Sequence, residues 1–183
     1  MSANFESLTE SLKKGAAALR DGDVPFPVAG GFAAWARGGP PTEHDVDFII
    51  REQDAERALE VLAAAGMRTE RPPEGWLVKA WDGDNLIDLV YAPSGMVVDD
   101  AVLARCDPTP VEAMRLPVMQ LEDVLVTKLL SLNEHHIAYP GLLEMTRAVR
   151  EQVDWEDVRA RTKSSPFARV FFVLLEELGI LSA

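Results

Sequence analysis

The stretch VAGGFAAWARGGPPTEHDVDFII, Val28 to Ile50, decides how the rest of the chain is read. Phe26 to Ala29 reads as a short apolar strand, Gly30-Gly31 as a turn and Phe32 to Arg37 as a short helix. A Gly/Pro loop then leads into a second strand carrying Asp45 and Asp47. Strand side chains alternate, so Asp45, Asp47 and Ile49 point to one face and Val46, Phe48 and Ile50 to the other. The two carboxylate-bearing positions are then roughly 6.5 to 7 Å apart along the strand. Two like charges so placed call for a cation. A divalent metal removes their repulsion, and a pair of metals about 3.5 to 4 Å apart bridges to a phosphate.

On the N-terminal side, Phe5, Leu8, Leu12, Ala16 and Leu19 fall at helical spacing before an Asp-Gly stop. On the C-terminal side, Asp54 to Ala65 is an amphipathic helix closed by Gly66, and Met67 to Glu70 reads as a short edge strand ended by Pro72-Pro73. Trp76 to Trp81 and Leu86 to Tyr91, around Asp82-Gly83-Asp84-Asn85, form a hairpin signal. Its second arm, Leu86-Ile87-Asp88-Leu89-Val90, sets an acid among aliphatic residues, and a buried carboxylate needs a partner. Further on, a short helix is expected at Asp99 to Arg105 and an extended pair at Val111 to Met114 and Leu116 to Met119. Beyond Gln120 the pattern is helical over Glu122 to Asn133, Gly141 to Val149, Trp155 to Thr162 and Phe167 to Leu178. The organisation is a mixed α/β core over residues 1–119 with a helical region, 120–183, packed on it.

Composition narrows the function classes. The 183 residues are 48% hydrophobic and 26% charged, enough for one sizeable core, and the net charge of −12 argues against a protein that grips a nucleic-acid backbone. The lone Cys106 reads as a core residue. The start MSANFESLTE lacks a basic segment followed by an apolar run, and the apolar run Val170 to Leu175 is far short of the roughly 20 residues that span a bilayer. A cytoplasmic protein with no membrane partner is expected.

Three carboxylates beside a Gly-Gly turn are more specific than any of these signals alone, since the turn lets backbone N–H groups approach a phosphate while the acids hold neutralising metals. Lys128 is the other singled-out residue. It falls in the apolar stripe of Leu121, Val124, Leu125 and Leu132, so it reads either as a phosphate-binding lysine aimed at the cleft or as a snorkelling side chain. Arg37 is a further phosphate candidate, and Trp76 and Trp81 are candidates to stack on a base or an acceptor. His135 and His136, read as ending a helix, point about 100° apart and do not share one ion. The arginines of the C-terminal helices, among them Arg147, Arg150, Arg159, Arg161 and Arg169, alternate with acids and read as a solvated, salt-bridged face.

Gly30-Gly31, a helix, Asp45-Val46-Asp47 and a later Asp88 in a hydrophobic strand resemble the nucleotidyltransferase superfamily of the DNA polymerase β type. The small bacterial branch that includes the aminoglycoside and lincosamide enzymes is the most similar, and the likeness is strongest over Val24 to Tyr91. It implies an α+β fold, with a mixed-sheet nucleotidyltransferase core, flanking helices and a C-terminal helical bundle. It also implies transfer of a nucleoside monophosphate from a nucleoside triphosphate (NTP) to the hydroxyl of a small molecule. Asp45, Asp47 and Asp88 would be metal ligands and catalytic groups for two Mg²⁺ ions, and Gly30, Gly31, Thr42 and Lys128 would hold the nucleotide, with ATP among the candidates. Many members have Gly-Ser where this chain has Gly-Gly, which leaves phosphate binding to backbone N–H groups. Two alternatives stand beside this one: modification of a protein or RNA partner, as in toxin–antitoxin pairs, and a non-catalytic nucleotide-binding or interaction module.

Overall fold

The computed structural model describes residues 3–42 and 44–182. Helix α1 (Ala3–Asp21) puts Phe5, Leu8, Leu12, Ala16 and Leu19 on one buried stripe, and helix α3 (Ala55–Ala64) buries Ala55, Ala58 and Leu62. Both pack on one face of a four-stranded mixed sheet of β1 (Asp45–Ile49), β2 (Arg68–Glu70), β3 (Leu77–Asp82) and β4 (Asn85–Val90), in the order β1-β4-β3-β2. β1 runs parallel to β4, whereas β3 pairs antiparallel with both its neighbours. Val46, Phe48, Val78, Ala80, Ile87 and Leu89 supply the face under α1 and α3 and have no exposed surface. This period-two pattern turns the remaining residues, Asp45, Asp47, Lys79 and Asp88 among them, to the opposite face.

The apolar segment expected as a strand over Phe26 to Ala29 is reduced to Val28, which bridges Phe48 in β1 on one side and Val118 on the other. Pro25 and Pro27 have no N–H to give a ladder, so one residue does the pairing. Val28 thereby ties the sheet to a two-stranded hairpin, β5 (Asp107–Val111) and β6 (Met114–Val118). The expected extended pair in this region is present but starts earlier, because the turn falls at Glu112-Ala113, with Glu112 at φ 51°. Helix α2 (Gly30–Ala36) touches both β1 and β5, and the short α4 (Asp100–Ala104), capped by the Asp99 carboxylate accepting from Val102 N–H, follows β4 in the chain.

The remaining helices are α5 (Leu121–Ser131), α6 (Tyr139–Val149), α7 (Trp155–Thr162) and α8 (Pro166–Glu177). Asp154 and Ser165 cap α7 and α8 through their side chains, and Pro166 opens α8 where its missing N–H has no intrahelical partner to lose. α5 ends at Ser131, so His135 and His136 sit in the following turn rather than at a helix end. α5 touches α2 on one side and α7 and α8 on the other, and one hydrophobic cluster runs from Phe5 through the sheet to Leu175.

Candidate active site

The parallel register of β1 and β4 sets Asp47 directly opposite Asp88, and Asp45 lies two residues back on the same face. One carboxylate oxygen from each of the three lies within 4.8 Å of the others. Asp88 is 9% exposed, and its Oδ1 has no hydrogen-bond partner among the described residues, with the Lys79 ammonium 3.6 Å away. Burial raises its pKa above the usual carboxylate range, Asp45 adds to the rise and Lys79 opposes it. Asp47 is pushed up further, to about 7, first by burial and then by Asp45, with Asp88 contributing. The Lys128 ammonium and the Gly31 N–H work against that rise. A folded protein seldom tolerates such a group without compensation. Three converging carboxylates, one with an oxygen that has no hydrogen bond among the described residues, are what a divalent cation would satisfy, and an all-oxygen donor set suits Mg²⁺.

The Gly-Gly turn is fitted to these acids. Gly30 has φ 55°, and a Cβ there would lie 1.7 Å from Asp47 Oδ2, so backbone and carboxylate approach as only glycine permits. Ala29 N–H donates to Asp47 O at 2.8 Å and Ile49 N–H to Pro27 O at 3.0 Å, locking the turn beside β1. At Gly31 the crowding comes from another residue: a Cβ would meet Thr42 Cβ and Oγ1, each at 2.7 Å. The Thr42 hydroxyl thus stands where a side chain at position 31 would project.

A cleft of about 430 Å³ opens beside Asp47 and Gly30, and Lys128, Thr127 and Ser131 of α5 line its opposite wall. Lys128 is half-buried, faces the carboxylates and makes no ion pair within 4 Å among the described residues. Trp76, 43% exposed, lines the far end with Ile49 and Val90, whereas the Trp81 ring is covered by the Arg68 guanidinium 3.8 Å from its centroid. Arg37 is not aimed at a phosphate. Its Nε donates to Met119 O at 3.0 Å and a terminal nitrogen to Val118 O at 2.9 Å, because the end of β6 leaves those carbonyls open.

The crystal structure of ANT(2'')-Ia in complex with adenylyl-2''-tobramycin matches this chain at TM-score 0.66 and 16% identity, covering 86% of this chain and 98% of that one. The solution structure of the antibiotic-resistance factor ANT(2'')-Ia matches at the same score and identity over 95% and 97%. The fold is that of the nucleotidyltransferases. No protein-family model and no curated protein sequence matches the chain, so the likeness is carried by architecture. Within this fold, Gly30, Asp47 and Lys128 line one cleft, Asp45 and Asp88 join Asp47 in the carboxylate cluster, and Thr42 packs on Gly31.

Two features escaped the sequence reading. Lys79 lies directly across from Asp88, a pairing available from the hairpin itself, since Asp82 opposite Asn85 counts back to Lys79 opposite Asp88. The salt-bridged face of the C-terminal helices also hides a buried carboxylate, Asp123, which joins Arg105 and Arg161. In the sequence Asp123 is one more acid in a helix's first turn, and nothing local marks it.

Proposed function

We propose that the protein is a metal-dependent nucleotidyltransferase that moves a nucleoside monophosphate from an NTP to a hydroxyl of a small molecule and releases pyrophosphate. The observation that carries this is the convergence of Asp45, Asp47 and Asp88, with a buried oxygen that has no hydrogen bond among the described residues, beside a turn only glycine can make. The core, 1–119, supplies these carboxylates, and the helical region, 120–183, supplies Lys128 from across the cleft. Asp45 and Asp47 would hold Mg²⁺, two ions in all with Asp88 completing the second position. The ions would supply charge neutralisation for the triphosphate and Lewis acidity at the acceptor hydroxyl.

The chain's own groups do the rest. Backbone N–H groups of Gly30-Gly31, the Thr42 hydroxyl and the Lys128 ammonium bind the phosphates and fix the α-phosphorus in line with the acceptor. Asp88 takes the acceptor proton as the new oxygen–phosphorus bond forms, and the electron pair of the breaking bond leaves with pyrophosphate. Trp76 presents a planar surface to a ring of the bound nucleotide or acceptor. The adenylyl-2''-tobramycin named in the ANT(2'')-Ia complex is the kind of product this chemistry gives.

The test is pyrophosphate release, with a matching mass increase on the acceptor, when the protein is incubated with Mg²⁺, each of the four NTPs, and tobramycin or other hydroxylated small molecules. Calorimetric titration with Mg²⁺ and nucleotide covers the case in which the right acceptor is missing from the panel. Absence of any metal-dependent nucleotide binding would refute the reading.

A further inference from the structure

The site face of the sheet carries four charged side chains in one row. The registers of β2, β3, β4 and β1 align Glu70 with Lys79, Lys79 with Asp88, and Asp88 with Asp47. Directly opposed residues of an antiparallel pair share a face, with Cβ atoms about 4.5 to 5.5 Å apart, so the Lys79 stem rises between a carboxylate on either side. In this structure its Nζ sits 3.6 Å from Asp88 Oδ1, while Glu70, about half exposed, has Arg68 at 3.6 Å as its ion-pair partner among the described residues. Among the described residues no other lysine or arginine comes within 4 Å of Asp45, Asp47 or Asp88. A divalent ion bound to Asp88 would bring a second positive charge against that ammonium. A flexible four-carbon stem between two acids has somewhere else to go.

We propose that Lys79 is a two-position counter-ion that sets the metal affinity of the carboxylate cluster, pairing with Asp88 when the cluster holds no metal and passing to Glu70 when a divalent cation takes Asp88. The inference rests on the reading of Asp45, Asp47 and Asp88 as a metal site. In the metal-free protein the lysine keeps three converging acids from standing uncompensated, and it lowers the affinity for a bare ion. Glu70 recovers part of that affinity by receiving the displaced ammonium.

The experiment is titration of the full-length protein with Mn²⁺ alone, no nucleotide present, read by calorimetry, with melting temperatures recorded in chelator. Lys79→Met should bind Mn²⁺ about fivefold more tightly than the parent, the scale of one partly exposed ion pair, and should melt lower without metal. Lys79→Arg should behave as the parent in both measurements. Glu70→Gln should weaken Mn²⁺ binding severalfold, and the same change in a Lys79→Met background should do nothing, because the two residues act through one ammonium. Lys79→Met binding Mn²⁺ no tighter than the parent would overturn the inference and leave the metal site standing. A Glu70→Gln effect that persists without Lys79 would also overturn it, reducing Glu70 to a distant charge. If neither the parent nor Lys79→Met binds Mn²⁺, both this inference and the proposed function fall.

Discussion

Asp123 in α5 is 1% exposed, and each of its oxygens meets a guanidinium, Oδ1 with Arg161 at 2.6 Å and Oδ2 with Arg105 at 2.8 Å. Asp88 in β4 is nearly as buried, yet it meets one ammonium at 3.6 Å and faces two further carboxylates. A buried carboxylate with matched donors is part of the architecture: it pins α5 to α7 and to the segment after α4, and removing it leaves cations stranded. A buried carboxylate grouped with others and short of donors raises the energy of the fold by itself, so its retention points to a ligand. The contrast separates two kinds of buried acid by what surrounds them, where burial alone would treat them alike.

The largest effect expected from this contrast is at Asp123. Asp123→Asn should destabilise the protein by about 2 to 4 kcal/mol, the cost of breaking a buried pair discounted for the partial exposure of both arginines. The loss should be equal with and without Mg²⁺ and measurable by urea denaturation. If Asp88→Asn, measured without metal, were as damaging, the distinction between the two acids would fail.

Next in size is Lys128, which lines the cleft and makes no ion pair within 4 Å among the described residues. Lys128→Met should weaken binding of Mg²⁺ and nucleotide by about 1.5 to 3 kcal/mol, the range for hydrogen bonds to charged groups, while leaving the melting temperature of the free protein nearly unchanged. Unaltered nucleotide affinity in a calorimetric titration would return it to a snorkelling side chain.

A comparable but structural effect is expected at the turn. Gly31→Ser forces a Cβ against Thr42, and overpacking of this kind costs about 1 to 3 kcal/mol. Thr42→Gly, which removes both the Cβ and the Oγ1 that the new side chain would meet, should relieve most of that cost in the double variant. Independent, additive effects would show that the two residues do not share the space.

The smallest effect is a slope. Asp47 holds its proton in the metal-free fold to about pH 7, whereas the unfolded chain releases it near pH 3.9. A pKa raised by folding means that the native state binds more protons. Its contribution is therefore fully present below pH 4 and is lost as pH climbs toward 7. In chelator, the melting temperature of Asp47→Asn should gain on the parent between pH 5 and 7 and hold its lead above that. Parallel curves would contradict the origin assigned to the shift.

Much of this contrast was legible in the sequence, and the missing part has a physical cause. The α1 stripe, the β1 alternation and the hairpin that carries Asp88 follow from periods of 3.6 and 2, which are local, and Asp45, Asp47 and Asp88 could be placed from them. The mixed sheet flanked by helices emerged in the same way. The partners of Arg37 and of Asp123 could not, because Val118, Met119, Arg105 and Arg161 reach them through packing between elements distant in sequence. The shortened first strand shows the opposite case. Pro25 and Pro27 were visible in the sequence, and their missing donors, weighed against the apolar run, mark Val28 as the residue able to bridge.

The central claim is that the acidic cluster is held against its own repulsion in order to bind metal and nucleotide, and melting temperature tests it most directly. The parent and Asp45→Asn should be compared in chelator and then with Mg²⁺ and each NTP. Asp45→Asn should melt at or slightly above the parent in chelator. At a nucleotide concentration near 100 times the dissociation constant, Mg²⁺ and NTP should stabilise the parent by about 2.7 kcal/mol and leave the variant unmoved. A parent that shows no metal-dependent shift, beside a variant already destabilised in chelator, would contradict it.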